Sequence, residues 1–151
     1  LKKTEKNFVV IAPNNDPGCE IIFKEIGKFP KSNFKQIPSM RFAYFSTLLK
    51  HSKVIIGNSS AGVREAPFLG VSSINIGSRQ FNMGGAKSIK NFDVFKNGQL
   101  DKLVEQQWGK RFEPDHSFGT GQSAKKFIKI LIEKKIWELN LQKTFFETSN
   151  H

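Results

Sequence analysis

A run of small and polar residues, Gly57-Asn-Ser-Ser-Ala-Gly-Val-Arg-Glu65, is the segment of this 151-residue sequence best suited to chemistry. It joins an apolar stretch to a predicted helix, whose unpaired N–H groups and positive dipole end favour an anion. The hydroxyls of Ser59 and Ser60 add hydrogen bonds for a phosphate. Glu65 lies one helical turn beyond Ala61, where its carboxylate would accept both hydroxyl protons of a ribose.

The same segment also has a purely structural interpretation. Ser59 would then cap the helix and Glu65 would be solvated, as in many turns built from small residues. The segment matches neither the G-x-G-x-x-G dinucleotide motif nor a P-loop, because no Gly-Lys-Ser/Thr follows. The residues alone leave both interpretations open.

Two further segments carry polar side chains directly after apolar runs. Arg79 follows one run in Gly77-Ser-Arg-Gln80, and its guanidinium could hold a pyrophosphate through paired hydrogen bonds. Asn14 follows another run in Pro13–Gly18 and could supply polar contacts to a ligand. Each segment equally fits an ordinary surface turn.

A complete active site is not visible in the sequence. His51, His116 and His151 show no metal-ligand spacing, so no metal is expected, and no cofactor motif is present. The sequence contains no pair of Asp or Glu residues whose spacing requires their carboxylates to lie together for acid–base catalysis. The lone Cys19 cannot form an internal disulfide, which favours a reducing, cytoplasmic setting.

Short apolar runs alternate with segments of helical periodicity along the chain. Strands are predicted over Phe8–Ala12, Asn33–Ile37, Val54–Gly57, Ser73–Gly77 and Ser88–Val94. Helices are predicted from the Asp16 cap to Pro30, over Arg41–His51, Ser60–Leu69 and Gln99–Trp108, around Ala124–Leu131, and along Trp137, Leu141 and Phe145. This alternation predicts a parallel sheet with helices on both faces, which binds ligands at the carboxyl ends of its strands.

The length and the net charge of the chain limit the number of domains and the kinds of partner that are expected. One domain over 1–151 is expected, and no apolar run reaches the ~18 residues of a membrane span. The net charge of +11 favours phosphate-bearing partners. The lysines are spread along the chain and no nucleic-acid module is visible, so nucleic-acid binding ranks last. Because the chain starts at Leu1 rather than Met, we expect it to belong to a longer polypeptide.

The segment Ile56–Pro67, followed by Ile74–Gln80, closely resembles the UDP-N-acetylglucosamine 2-epimerase family. The resemblance is strongest to the hydrolysing branch of that family, which acts in sialic and legionaminic acid synthesis. Supporting matches occur at Pro13–Gly18, Met40–Phe45, Phe118–Ala124 and Leu141–Lys143. The resemblance implies a Rossmann-like domain that forms the C-terminal half of a GT-B-type two-domain enzyme. The N-terminal domain would be absent from this chain.

The resemblance also implies a site for uridine diphosphate (UDP). Ser59 and Ser60 would hold the diphosphate, Arg79 would lie near the phosphates, and Glu65 would bind the ribose hydroxyls. Asn14 would help to line the nucleotide pocket.

The backbone near Met40 would meet the uracil of a substrate such as UDP-N-acetylglucosamine or a related UDP-amino sugar. In this family UDP is eliminated to give a glycal, and water then adds to give N-acetylmannosamine. The catalytic side chains are expected in the missing domain, and the full enzyme is expected to be a homo-oligomer. Two alternatives remain: the nucleotide-binding domain of a GT-B glycosyltransferase, and an inactive UDP-binding remnant.

Overall fold

Five short strands form the framework of the part of the chain that the structure describes. The computed structural model describes residues 5–95, 99–139 and 142, and the chain divides into two units, Leu1–Asp115 and His116–His151. The strands, all in the first unit, are β1 Phe8–Ile11, β2 Phe34–Ile37, β3 Ile55–Gly57, β4 Ser73–Ile76 and β5 Ile89–Phe92.

Helices separate most of these strands. The first unit contains α1 Cys19–Ile26, α2 Phe42–His51, α3 Glu65–Phe68 and α4 Leu100–Gln107. The second unit contains α5 Ser123–Ile132 and a 3-10 helix over Lys134–Glu138. Trp137 of the predicted last helix lies in that 3-10 helix, whereas Leu141 and Phe145 lie outside the described residues.

Every strand pair is parallel, as expected for strands joined through helices. β1 pairs with β2, and β3, β4 and β5 form a second group in that order. Between the two groups, the ring of Phe8 lies edge-on to that of Trp108 at 6.5 Å, and Lys6 pairs with Glu105. The alternation of parallel strands and helices confirms the predicted α/β class.

Two apolar clusters cover opposite faces of the three-stranded group. On one face, Ile74 and Phe92 pack against Val104 of α4. On the other, Leu49 of α2 packs against Ala66 of α3. Successive strand residues point to opposite faces, so neighbours along β4 belong to different faces. Helices therefore lie on both sides of these strands, as the sequence predicts.

The segment after β3 differs from the sequence expectation. The prediction of one helix over Ser60–Leu69 is wrong, because a 3-10 turn at Ser60–Gly62 is followed by the separate four-residue helix α3. Pro67 explains the break. In a continuous helix its nitrogen would pair with the carbonyl of Val63, but proline has no N–H and its ring would clash there.

The start of α1 also differs. The predicted Asp16 cap is wrong, because the helix begins at Cys19 after Gly18, which has a φ of 89° and provides no side-chain cap. The backbone carbonyl of Asp16 instead accepts a hydrogen bond from the N–H of Cys19 at 3.1 Å. The left-handed conformation at Gly18 explains the later start, since a turn precedes the helix.

Candidate functional site

The residues predicted to bind a ligand all follow the carboxyl end of a strand. They are Asn14 after β1, Met40 after β2, Ser59, Ser60 and Glu65 after β3, and Arg79 after β4. Ligands of parallel α/β sheets bind at this edge, so the placement fits a common site.

The turn after β3 exposes two serine hydroxyls. Ser59 Oγ accepts a hydrogen bond from the backbone N–H of Ala61 at 3.3 Å, so the capping interpretation of this serine is confirmed. A hydroxyl has one proton to donate besides its acceptor lone pairs. Because Ser59 and Ser60 are both exposed, their O–H groups remain available to a phosphate.

Two glycines shape this turn. Gly57, the last residue of β3, has a φ of 154°, and no atom beyond its two chain neighbours lies within 4 Å of the position that a Cβ would occupy. Gly62 packs closely on β4, where a Cβ would lie 2.8 Å from Ser73 Oγ. The turn is thus held against the sheet at Gly62, while the space beside Gly57 is open to a ligand.

The short 3-10 turn changes the electrostatic argument for anion binding. A macrodipole requires several aligned helical turns, and the three-residue turn Ser60–Gly62 provides only one. The N–H of Ala61 is bonded to Ser59 Oγ and that of Gly62 to the Ser59 carbonyl, which leaves the N–H of Ser60 at the start of the turn. Local N–H and O–H donors, rather than a long helix, must therefore provide the attraction for an anion.

Glu65 is the first residue of α3 and is partly buried. Its Oε2 atom is shielded from solvent and has no hydrogen-bond partner. A fully solvated side chain, the structural alternative for this residue, does not describe that arrangement. A buried acceptor without a donor is costly, so Oε2 is suited to accept a hydrogen bond from a ligand hydroxyl.

Arg79 lies in the turn that follows β4 and its side chain is exposed. Gly77 begins this turn with a φ of 77°. Within the turn, the N–H of Phe81 donates a hydrogen bond to the carbonyl of Ser78 at 3.0 Å. Since β3 and β4 are hydrogen-bonded neighbours, Arg79 leaves the sheet at the same edge as Ser59.

Asn14 and Met40 belong to the other pair of strands. Ile11 lies opposite Ile37, so the segments carrying both residues leave β1 and β2 at one edge. Asn14 is exposed and Met40 is partly buried, one residue before the cap of α2. In the part of the chain that the structure describes, no hydrogen bond joins either residue to the turn after β3.

The structure also reveals polar residues that the sequence analysis missed. Ser73 and Asn75 of β4 are each 1% exposed, and both point to the face that carries the turn. Asn75 Nδ2 donates to Asn91 Oδ1 at 2.7 Å, whereas Asn75 Oδ1 and Ser73 Oγ have no partner. The signal was the alternation Ser73-Ile-Asn75-Ile, which places polar residues on one strand face.

Among residues 5–95, 99–139 and 142, no group of three or more His, Cys, Asp or Glu side chains could hold a metal ion. No described helix is long and apolar enough to cross a membrane. Cys19, at the start of α1, is a partly buried free thiol.

Comparison with known proteins gives a family and several relatives. The family model described as UDP-N-acetylglucosamine 2-epimerase matches residues 1–132. A UDP-N-acetylglucosamine 2-epimerase of Neisseria meningitidis serogroup B is 39% identical over 150 residues, which are 97% of this chain and 40% of the relative.

Two further relatives are more distant or cover less of the chain. The polysialic acid biosynthesis protein P7 of Escherichia coli is 36% identical over 96 residues, 63% of this chain and 25% of the relative. A hydrolysing UDP-N,N'-diacetylbacillosamine 2-epimerase of Legionella pneumophila is 25% identical over 129 residues, 85% of this chain and 34% of the relative. The chain thus spans two fifths or less of these relatives' length, and it belongs to the UDP-N-acetylglucosamine 2-epimerase family.

Proposed function

We propose that this chain is the UDP-sugar-binding part of a hydrolysing UDP-N-acetylglucosamine 2-epimerase, the C-terminal half of a GT-B-type two-domain enzyme. Family membership and the names of the relatives from Neisseria and Legionella support an epimerase rather than a glycosyltransferase. The Legionella relative's name also supports the hydrolysing outcome. Because the chain covers 40% or less of these relatives, the rest of the active site belongs to another part of the enzyme.

The unpartnered Oε2 of Glu65 is the observation that carries the nucleotide assignment. A ribose presents two neighbouring hydroxyl donors, which match the two oxygens of one carboxylate. The exposed hydroxyls of Ser59 and Ser60 lie in the preceding turn. One short segment thus offers acceptors for the ribose and donors for the phosphates attached to it.

The diphosphate would be held by several donors from two neighbouring strand ends. Ser59 and Ser60 contribute O–H groups, and the backbone N–H of Ser60 contributes a further donor, since the N–H of Ala61 is bonded to Ser59 Oγ. Arg79, from the turn after β4, contributes a guanidinium that can bind two phosphate oxygens at once. Asn14 and the backbone near Met40 would line the nucleoside end of the site.

In the proposed reaction, a base removes the proton from C2 of the sugar while the bond between C1 and the UDP oxygen breaks. UDP leaves with the bonding electrons, and a glycal with a double bond between C1 and C2 remains. Water then adds a hydroxyl to C1 and a proton to C2, giving N-acetylmannosamine and UDP. The donors of this chain stabilise the negative charge that develops on the departing diphosphate.

Two measurements on the 151-residue chain test this proposal. Calorimetric titration should show weak binding of UDP and of UDP-N-acetylglucosamine. Each ligand should compete with the other for the same site. Incubation with UDP-N-acetylglucosamine should release neither UDP nor N-acetylmannosamine, since the groups that move the C2 proton are proposed to lie elsewhere. Absence of UDP binding would contradict the site, and product release would contradict its division between two domains.

A further inference from the structure

Beneath the turn after β3 lies a small layer of buried polar side chains. Ser73 and Asn75, both 1% exposed, lie on the face of β4 that carries the turn, and the exposed Asn91 lies opposite Asn75 on β5. The bond from Asn75 Nδ2 to Asn91 Oδ1, at 2.7 Å, joins the carboxyl ends of these two strands.

Two oxygens of this layer lack a partner. Ser73 Oγ and Asn75 Oδ1 are shielded from solvent and accept no hydrogen bond in the structure. By contrast, Ser72 points to the opposite face and its hydroxyl donates to Gln107 Oε1 at 3.1 Å. Buried polar atoms are nearly always paired in proteins, so the two free acceptors under the turn require an explanation.

The layer meets the turn at its beginning and at its end. Asn75 lies directly opposite Gly57, the residue at which the turn leaves β3. Ser73 Oγ lies against Gly62, with only 2.8 Å to the position of an added Cβ. The donors of Ser59 and Ser60 lie between these two points, so the layer under the turn constrains where those donors are directed.

We propose that Ser73 and Asn75 are positioning residues that hold the turn Gly57–Gly62 in the arrangement that receives a diphosphate. Ser73 supports the turn at Gly62, and Asn75, fixed by Asn91, supports it at Gly57. Their oxygens have no partner in the ligand-free structure, and in the UDP-bound state they accept hydrogen bonds from donors of the turn that the diphosphate leaves unused. This inference rests on the proposed UDP site and adds residues that do not themselves touch the ligand.

The test compares three single substitutions in the 151-residue chain: Ser73→Ala, Asn75→Ala and, as the matched control, Ser72→Ala. UDP affinity is measured by calorimetry, uridine affinity by NMR titration, and folding by thermal unfolding. In Ser73→Ala and Asn75→Ala the turn Gly57–Gly62 should no longer be held in place, so its donors should bind the diphosphate less well. UDP affinity should fall by about tenfold. Uridine affinity should stay within about twofold of wild type, and Ser72→Ala should leave both affinities unchanged.

The outcomes separate this inference from the proposed function. If the wild-type chain binds UDP and the two variants bind it equally well, the positioning role is overturned. An equal loss of UDP and uridine affinity would also overturn it, since that pattern indicates general damage to the fold. If Asn75→Ala does not fold, the removal of one oxygen atom in Ser73→Ala still decides the question. Failure of the wild-type chain to bind UDP would overturn the proposed function itself.

Discussion

The hydroxyl of Ser59 accepts a hydrogen bond from the backbone N–H of Ala61, at 3.3 Å, at the start of the turn after β3. This bond fixes the direction of the hydroxyl oxygen without using its proton. The structural and functional interpretations of Ser59 are therefore compatible, because the cap orients the oxygen and the O–H remains available to a phosphate.

Replacing Ser59 by Ala should affect both folding and binding. Loss of the cap should lower the free energy of unfolding by about 0.5–2 kcal/mol. Loss of a hydrogen bond to a charged phosphate should weaken UDP binding by about 1.5–3 kcal/mol. Urea unfolding and calorimetry measure the two effects. Ser32→Ala, an exposed serine in the turn before β2, is the control and should change neither. Unchanged UDP affinity in Ser59→Ala would exclude the phosphate contact.

Replacing Glu65 by Ala should weaken UDP binding by about 1–3 kcal/mol, because two hydroxyl-to-carboxylate bonds are lost. The ribose contact can be isolated by repeating the titrations with 2′-deoxy-UDP. Wild type should bind the deoxy ligand more weakly than UDP, whereas Glu65→Ala should hardly distinguish them. Additive losses from the substitution and the deoxy ligand would contradict the proposed pairing. Glu113→Ala, an exposed glutamate outside the site, is the matched control.

Replacing Arg79 by Ala should lower UDP affinity by about tenfold and UMP affinity by less, since the guanidinium is proposed to bind a diphosphate. Arg79→Lys should restore only part of the affinity, because an ammonium group cannot bind two oxygens in the same plane. Lys110→Ala removes one exposed positive charge after α4 and controls for net charge. Equal effects of Arg79→Ala and Lys110→Ala would show that only overall charge matters.

Gly70 ends the segment after α3 and should not tolerate a side chain. Its φ is +65°, and a Cβ would lie 2.3 Å from the backbone oxygen of Phe112. Gly70→Ala should therefore lower the free energy of unfolding by at least about 1–3 kcal/mol. Gly27→Ala, at a φ of −59° with no Cβ contact shorter than 3.4 Å, should be neutral or stabilise by up to about 1 kcal/mol. Similar urea midpoints for the two variants would contradict the conformation assigned to Gly70.

The strands could be predicted from the sequence because each is a short run bounded by turn residues. Ile55–Gly57 and Ser73–Ile76 fall within the predicted runs, since a glycine marks the end of each run. The sequence does contain the signal for the break within Ser60–Leu69, because Pro67 cannot donate to Val63 in a continuous helix, but apolar periodicity alone predicts one helix. Helical periodicity describes apolar positions and does not account for the missing N–H.

The candidate site was predicted only in part, for a different reason. Side chains after strand ends, such as Ser59 and Arg79, could be located because parallel strands share one carboxyl edge. The buried positions of Ser73 and Asn75 could not be inferred, since a polar residue in alternation is usually taken to face solvent. Their burial depends on the turn that Gly62 allows to approach β4, which is a tertiary contact.

A crystal structure of the 151-residue chain with bound UDP tests the central claim most directly. The diphosphate should lie within hydrogen-bond distance of the hydroxyls of Ser59 and Ser60, with the ribose hydroxyls on the carboxylate of Glu65. Density for UDP at another place, with the turn after β3 unoccupied, would contradict the account.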